Sequence, residues 1–507
     1  MRLLRWVGLL GVLAIAGCGG GSSSSVSGGG GSSNNNNNSG GNPPSPPAPT
    51  TLNFSVPLFN PTKQATLIRR NMPASESGSS LTVVSASTNK VEGEDGPGRD
   101  LPPELLAQQL ADLTNPSTRN RVEGILPRFQ QLAQGADQNF LIVTNSQTVT
   151  CRKILAESQT VHCTIFAQVV SGTPILTEAQ ALEIQAKWDE AGTGIYDTDR
   201  DIFGSEWTTG GGRDGDAKVN LVFLNSSGIG GSNYFGFVSP ADEGTTSSSN
   251  QGEILYLNYD KFGTDGFNVY STMAHEFQHL IALNTKLIRQ GAFSGQIENA
   301  AIDEGKAVLA EDLNGYGLEA VGGGNNFTYQ ATRAFLQSPS SQGLFQFNGN
   351  LDSYGRDYAF MRYLLDRFGL TAFRTYAQSG GSGLAQLNAS FGSASTIFAD
   401  WTNALVASPL GGSVPTNLRY TGPFNPGRSY SSIRGFTGAQ TLPTLTPGQT
   451  VSPPTGSQTT TLGPWVFSTV RYQNGTGNTL NVSVQVDSAQ GASMVVENPT
   501  GTFGGLQ

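Results

Sequence analysis

The sequence predicts an α+β protein, and three observations predict it. Apolar, β-rich runs such as FLIVTNSQTVT, TIFAQVV and GEILYLNY read as strands. Segments with apolar residues on one helical face follow and separate them, including Ala181, Ile184 and Trp188, and the stretch over residues 301–313. After Pro409 the chain turns Thr-, Ser-, Gly- and Pro-rich with alternating runs such as WVFSTVRY and LNVSVQV, the pattern of a small β-sandwich-like module. The expected architecture is a mixed sheet with helices in the middle of the chain. It is flanked by an N-terminal α/β module containing a disulfide hairpin and by a C-terminal β-rich module.

With 507 residues the chain has room for two or three domains and a sizeable core. Charged residues make up only 13% and Gly numbers 65, which points to a loop-rich protein outside the cytoplasm. The net charge is −9 and no Lys/Arg stripe is present, which argues against a nucleic-acid partner.

Residues 1–17 begin with Arg2 and Arg5 before an apolar run too short to span a membrane comfortably. The run ends in Ile15-Ala16-Gly17-Cys18, which resembles the lipobox of bacterial lipoproteins. That resemblance implies cleavage after Gly17, a lipid on Cys18, and a place at the bacterial cell envelope, on the outer or cytoplasmic membrane, facing away from the cytoplasm. The alternative is an ordinary signal peptide with an incidental cysteine. Residues 18–51 are Gly, Ser, Asn and Pro with almost nothing apolar, and read as a disordered tether.

Residues 52–172 form an N-terminal module, accessory or propeptide-like. It has extended pieces (LNFSV, SLTVVSAS), an acidic loop over 92–100, and helices expected over 103–113 and 122–132. A hairpin carrying Cys151 and Cys163 closes it. With the turn centred on Glu157 the two cysteines face each other, and export favours a disulfide, with two buried thiols as the alternative. His162, facing away from Cys163, reads as structural.

Residues 173–409 carry the chemistry. Thr177-Glu178-Ala179-Gln180 opens a helix with a capping pattern, a strand covers 218–224 and another 252–259. Asp214 and Asp216 beside Gly215 could hold Ca²⁺, although two carboxylates in a Gly loop more often make a turn. The focus is Met273-Ala274-His275-Glu276-Phe277-Gln278-His279-Leu280, an HExxH pattern in an apolar segment. Positions i and i+4 share a helix face, so His275 and His279 can offer nitrogens to one metal ion, and zinc suits such a site. Glu276 can reach a water on that ion and act as general base. The chain has only three histidines, so two of them around a glutamate at this spacing carry weight. His162 lies upstream in the cysteine hairpin, so a carboxylate must supply the third ligand.

Glu304, Glu298 and Glu311 compete for that role. Glu304 and Glu311 are seven apart on a helix and project from one face, so one can bind metal while the other orients a histidine. Glu298 fits the spacing of some zinc peptidases but lies at or before the helix start. Glu304, among small and apolar residues, is favoured.

HEFQHLI followed by DEGKAVLAEDLNGYG resembles the gluzincin clan of zinc peptidases, and most of all its hyicolysin-type members. The clan's second motif is similar to N-E-G-x-A, and here Asp303-Glu304-Gly305-Lys306-Ala307 stands in its place. SYGRDYAFMRYLLDRFG and FADWTNAL extend the likeness, which covers roughly residues 180–408. The resemblance implies a zincin-like fold and one catalytic Zn²⁺ held by His275, His279 and Glu304. It implies a Glu276-assisted attack of zinc-bound water on peptide bonds of proteins outside the cytoplasm. It also offers Tyr354 as the group supporting the oxyanion, with Tyr358 behind it. A catalytically inactive adhesin or binding lipoprotein on the same scaffold is the alternative function.

Overall fold

In the computed structural model strand pairing joins residues 50–71 to strands beyond residue 466. The structure describes residues 50–76, 101, 103–114, 132–207, 212, 214–244, 249–263, 266–288, 295–322, 325–339, 342–411, 413–452, 462, 464–486 and 490–507. The signal segment, Cys18, nearly all of the tether and the loop at 92–100 lie outside the described residues. So does the helix expected at 122–132, but for Leu132.

The strands are, in order, β1 (Thr50–Val56), β2 (Gln64–Asn71), β3 (Asp137–Ile142), β4 (Gln147–Lys153), β5 (Cys163–Val170) and β6 (Thr173–Pro174). They continue as β7 (Val219–Leu224), β8 (Gly236–Val238), β9 (Ile254–Asn258), β10 (Ser429–Tyr430) and β11 (Gln440–Thr441). The last five are β12 (Gln449–Val451), β13 (Phe467–Tyr472), β14 (Leu480–Val486), β15 (Gln490–Glu497) and β16 (Phe503–Leu506). The helices are α1 (Pro103–Thr114), α2 (Glu178–Trp188), α3 (Ile195–Phe203), α4 (Ser226–Ile229) and α5 (Phe267–Ala282). They continue as α6 (Ala300–Leu313), α7 (Phe327–Gln337), α8 (Leu351–Ala377), α9 (Gly383–Phe391) and α10 (Ala394–Ala407).

A seven-stranded mixed sheet runs β3-β4-β5-β7-β9-β8, with β6 paired to β5. β5, β7 and β9 are parallel to one another, whereas β8 pairs antiparallel on β9 and ends the order. Parallel strands in the middle of a sheet are covered on both faces, and every residue of β7 and β9 is buried. One face, with Ile165, Leu221 and Leu255, packs on Met273, Phe277 and Leu280 of α5. The other, with Phe166, Val222 and Tyr256, receives Leu105 and Leu106 of α1. α5 is therefore buried nearly all round, as its apolar composition demands. It runs on into a π-helical turn, Leu283–Ile288.

The capping pattern at Thr177 forms as a capping box with Gln180, and α2 buries Ala181, Ile184 and Trp188. A second, five-stranded sheet runs β12-β13-β2-β15-β16, so β2 from the N-terminal stretch lies at its centre between C-terminal strands. β1 pairs antiparallel with β14, and the two layers share a core of Phe54, Val56, Leu67, Val470, Leu480 and Met494. Arg70 of β2 ties this sheet to α10. Its buried guanidinium donates to Thr402 Oγ1 at 2.5 Å, to Ser493 Oγ at 2.9 Å, and to Asn403. Residues expected in one N-terminal module thus supply strands to both sheets.

The cysteine hairpin differs from expectation. Cys151 sits opposite Gln168, and Cys163 opposite Val219 of the neighbouring parallel strand. A short 3₁₀ turn at Glu157–Gln159 lengthens the β4–β5 connection and shifts the register away from a turn centred on Glu157. Cys151 belongs to the core on one face of the sheet and Cys163 to the core on the other, so no bridge can close and both are free thiols. Burial pushes both thiols up, which suppresses the thiolate that oxidation needs. In denatured, unreduced protein both Cys151 and Cys163 will take up an alkylating reagent, as read by peptide mass spectrometry. Dithiothreitol will leave Tm unchanged, and a peptide linked through the two sulfurs would overturn the assignment.

Candidate metal centre

α5 carries His275, Glu276 and His279, with His275 at 0% and Glu276 at 1% exposure. α6 faces it and carries Asp303, Glu304 and Glu311. Its start is set by Asn299, whose side chain accepts from the backbone N–H of Ala301 and of Ile302. Gly305 lets α6 meet α8 closely, since a Cβ there would lie 2.6 Å from the Asp357 carbonyl oxygen.

Glu304 Oε2 lies 3.5 Å from His275 Nε2 and 3.5 Å from His279 Nε2. It is buried and makes no hydrogen bond among the described residues. Bonds of about 2.0–2.2 Å to a tetrahedral ion separate its ligands by about 3.3–3.6 Å, so these spacings are those of one tetrahedral edge after another. Among the described residues this trio is the set of three whose ligand atoms all lie within 4.8 Å of one another. The donors present fit a single metal ion.

Each histidine is held from behind. His275 Nδ1 is 2.9 Å from Glu311 Oε1, and Ser271 Oγ donates to the other oxygen of that carboxylate. His279 Nδ1 is 3.1 Å from Asp303 Oδ2, while Gln278 Nε2 donates to Asp303 Oδ1 at 3.4 Å. A proton on Nδ1 shared with a carboxylate leaves the Nε2 lone pair for a metal. Burial alone would raise the Asp303 carboxyl, but His279, the Lys306 charge and the Gln278 hydrogen bond together hold it below the ordinary value.

The other candidates sort cleanly. Glu298 is outside the trio. Its Oε2 accepts from buried Lys306 Nζ at 2.9 Å, with Lys286 Nζ at 3.6 Å, and its Oε1 accepts from Gly383 N at 2.9 Å. Glu311 stands behind His275. The ring centroid of Tyr354, at the start of α8, lies 6.5 Å from that of His275, wedged edge-on between Phe327 and Phe347. Tyr358 instead donates to Asp312 Oδ2 at 2.9 Å and is fully buried. Asp214 and Asp216 accept backbone N–H groups of Asp216 and Lys218, the work of a turn. His162 stacks on Tyr196 and its Nδ1 is 3.0 Å from Asp189 Oδ1.

No family model matches the chain. A 109-residue stretch is 33% identical to the neutral metalloprotease ShpI of Staphylococcus hyicus. The stretch spans 20% of this chain and 24% of that protein. This likeness supports a metallopeptidase relationship, and with it a hydrolase that uses a metal cofactor.

Two buried acids carry no local signal in the sequence. Asp303 stands where the clan's motif has Asn, and its contact with His279 is made from the facing helix. Asp199 of α3 is fully buried with Oδ1 accepting from Asn314 Nδ2 at 2.7 Å. Burial drives its carboxyl well above the ordinary value, against the Asn314 hydrogen bond and the His275 charge. Glu311→Gln, which forces one oxygen to serve both His275 and Ser271, will weaken metal binding by ~10–100-fold in a chelator competition. Unchanged affinity would mean that Glu311 does not orient His275.

Proposed function

We propose that this chain is a zinc-dependent endopeptidase of the hyicolysin-type, gluzincin kind, acting on proteins outside the cytoplasm. The observation that carries the reading is the convergence of two Nε2 atoms and Glu304 Oε2 at 3.5 Å spacings, with both Nδ1 atoms held by carboxylates. His275, His279 and Glu304 would hold the ion, and a nitrogen-rich set with one carboxylate suits zinc. Zinc bound there supplies Lewis acidity, lowering the pKa of water and polarising a carbonyl oxygen.

The chain's own residues do the rest. Glu276, buried next to His275 on α5, accepts the proton of the attacking water and returns it to the departing amine. The Tyr354 hydroxyl supports the developing oxyanion from the His275 side. Glu311 and Asp303 keep both imidazoles in the Nδ1–H form. β8 ends the sheet order beside α5, where a Cβ on Gly236 would lie 2.7 Å from Thr272 Cγ2 and 3.4 Å from Glu276 Cγ. An extended peptide pairing along β8 would lay its backbone across Glu276.

The zincin-like unit on this reading covers residues 173–409 with the sheet strands at 137–170. Lipid attachment through Cys18 and a cell-envelope location rest on the sequence of the first 51 residues. An inactive binding lipoprotein gains nothing from a carboxylate at position 276 beside the ligands. Glu276→Gln will keep one zinc per chain and lose casein hydrolysis by ~10²–10⁴-fold. Glu304→Gln will lose the zinc itself, as read by elemental analysis after dialysis. Full activity in Glu276→Gln would sink the mechanism, and a wild-type protein that takes up no zinc would sink the function.

A further inference from the structure

Two lysines are buried beside the metal centre, and the mechanism above uses neither. Lys306 on α6 and Lys286 in the π-helical turn after α5 are each 1% exposed. A lysine loses its hydration on burial and must find carboxylates. Both find Glu298, whose Oε2 lies 2.9 Å from Lys306 Nζ and 3.6 Å from Lys286 Nζ. Lys286 also donates to the Ser379 carbonyl at 2.7 Å. Glu298 Oε1 accepts the backbone N–H of Gly383 at 2.9 Å and of Asn299 at 3.0 Å. Lys306 has a second carboxylate as well. Asp303 Oδ1, one turn back on α6, stands 3.7 Å from its Nζ.

The other oxygen of Asp303 serves the metal centre, with Oδ2 at 3.1 Å from His279 Nδ1. The Asp303 side chain is 24% exposed, so water competes for both of its oxygens. A carboxylate that swings toward water releases the imidazole behind it. Gln278 Nε2 reaches Oδ1 at only 3.4 Å, a long hydrogen bond. Lys306 is the stronger anchor, because it brings a full charge and is itself held by Glu298. In the sequence it fills the open position of Asp303-Glu304-Gly305-Lys306-Ala307, three residues after Asp303 and so on the same helix face. We propose that Lys306 is a positioning residue of the metal centre. Anchored by Glu298, it fixes one oxygen of Asp303 so that the other stays on His279 Nδ1 and His279 Nε2 stays aimed at the ion. The inference rests on the zinc reading of the His275 centre. Lys286 shares Glu298 but has a different task, tying the exit of α5 to the connection between α8 and α9.

The test is a double-mutant cycle on the full chain, read as zinc affinity in a chelator competition and so independent of any peptide hydrolysis. Lys306→Met and Asp303→Asn will each weaken zinc binding by ~10–100-fold. The double variant will bind no more weakly than Asp303→Asn alone, because the lysine acts only through the aspartate. In Lys306→Met the Glu298 carboxylate keeps Lys286 and the Gly383 N–H, so it is not stranded. Lys306→Gln, which retains a donor for Glu298 without the charge, repeats the cycle if the methionine variant does not fold. Lys306→Arg, which retains the charge, will recover most of the affinity. Lys286→Met removes a cation from Glu298 without touching Asp303, and will leave zinc affinity unchanged even where Tm falls. Losses that add in the double variant, or an equal loss in Lys286→Met, make Lys306 a structural counter-charge and overturn its positioning role, with the zinc site left standing. Wild-type protein that takes up no zinc overturns both.

Discussion

Two imidazoles buried on one helix face can point their outer nitrogens at a common spot only if something holds their inner nitrogens. Here that constraint falls on α6. Glu311 grips His275 and Asp303 grips His279, and Glu304 between them stands 3.5 Å from both outer nitrogens. The result concentrates acid in a dry place, because Glu276, Glu304 and Glu311 are at 1%, 5% and 0% exposure. Buried carboxylates need donors or opposite charge. Ser271 and His275 serve Glu311, and Lys306 stands 3.7 Å from Asp303. For Glu304 the natural counter-charge is a divalent cation shared with the histidines. The chemistry of the site and its electrostatic balance ask for the same ion.

How much of this the sequence shows depends on how local each relation is. The four-residue step from His275 to His279 is a property of one helix and needs nothing else. The seven-residue step from Glu304 to Glu311 is likewise internal to α6, although which of the two faces the metal is not. Glu298 is excluded only by its neighbours Lys306 and Gly383, one of them 85 positions away. Asp303 had no local signal for its role beyond adjacency to Glu304, since its partner lies 24 positions back on another helix. The cysteine pair failed for a related reason. A hairpin register follows from its turn, and the 3₁₀ turn at Glu157–Gln159 is not the tight turn that facing cysteines require.

Strand existence was legible from alternating apolar runs, but strand partnership was not. β2 falls inside the expected N-terminal module at a place where no strand is read from the sequence, and its partners β13 and β15 lie about four hundred residues on. Nothing in QATLIRRN announces this except Arg70. A guanidinium in a strand position at 2% exposure must find several acceptors, and it finds them on α10 and β15. Burial lowers its pKa to about 9, against the pull of Asp400. The polar cluster around it fixes how the C-terminal sheet meets the helices.

That junction matters for the metal centre through a short chain of contacts. Leu344 donates its N–H to Trp465 O, and the rings of Trp465 and Phe345 meet at 5.0 Å. The Phe345 carbonyl accepts from Asn299 Nδ2 at 3.2 Å, and Asn299 is the residue that caps α6. Phe347, two residues on, packs against Tyr354 at 4.9 Å. Trp465, in the turn that leads into β13, thus braces the segment that reaches both the cap of the helix bearing Glu304 and the wall bearing Tyr354. A helix cap contributes only about 1 kcal/mol, but α6 delivers three of the carboxylates at the centre. A small rotation at its first turn moves all three relative to α5. On this view Trp465, at the entry to the C-terminal strands, acts on the site by helping to set where α6 begins.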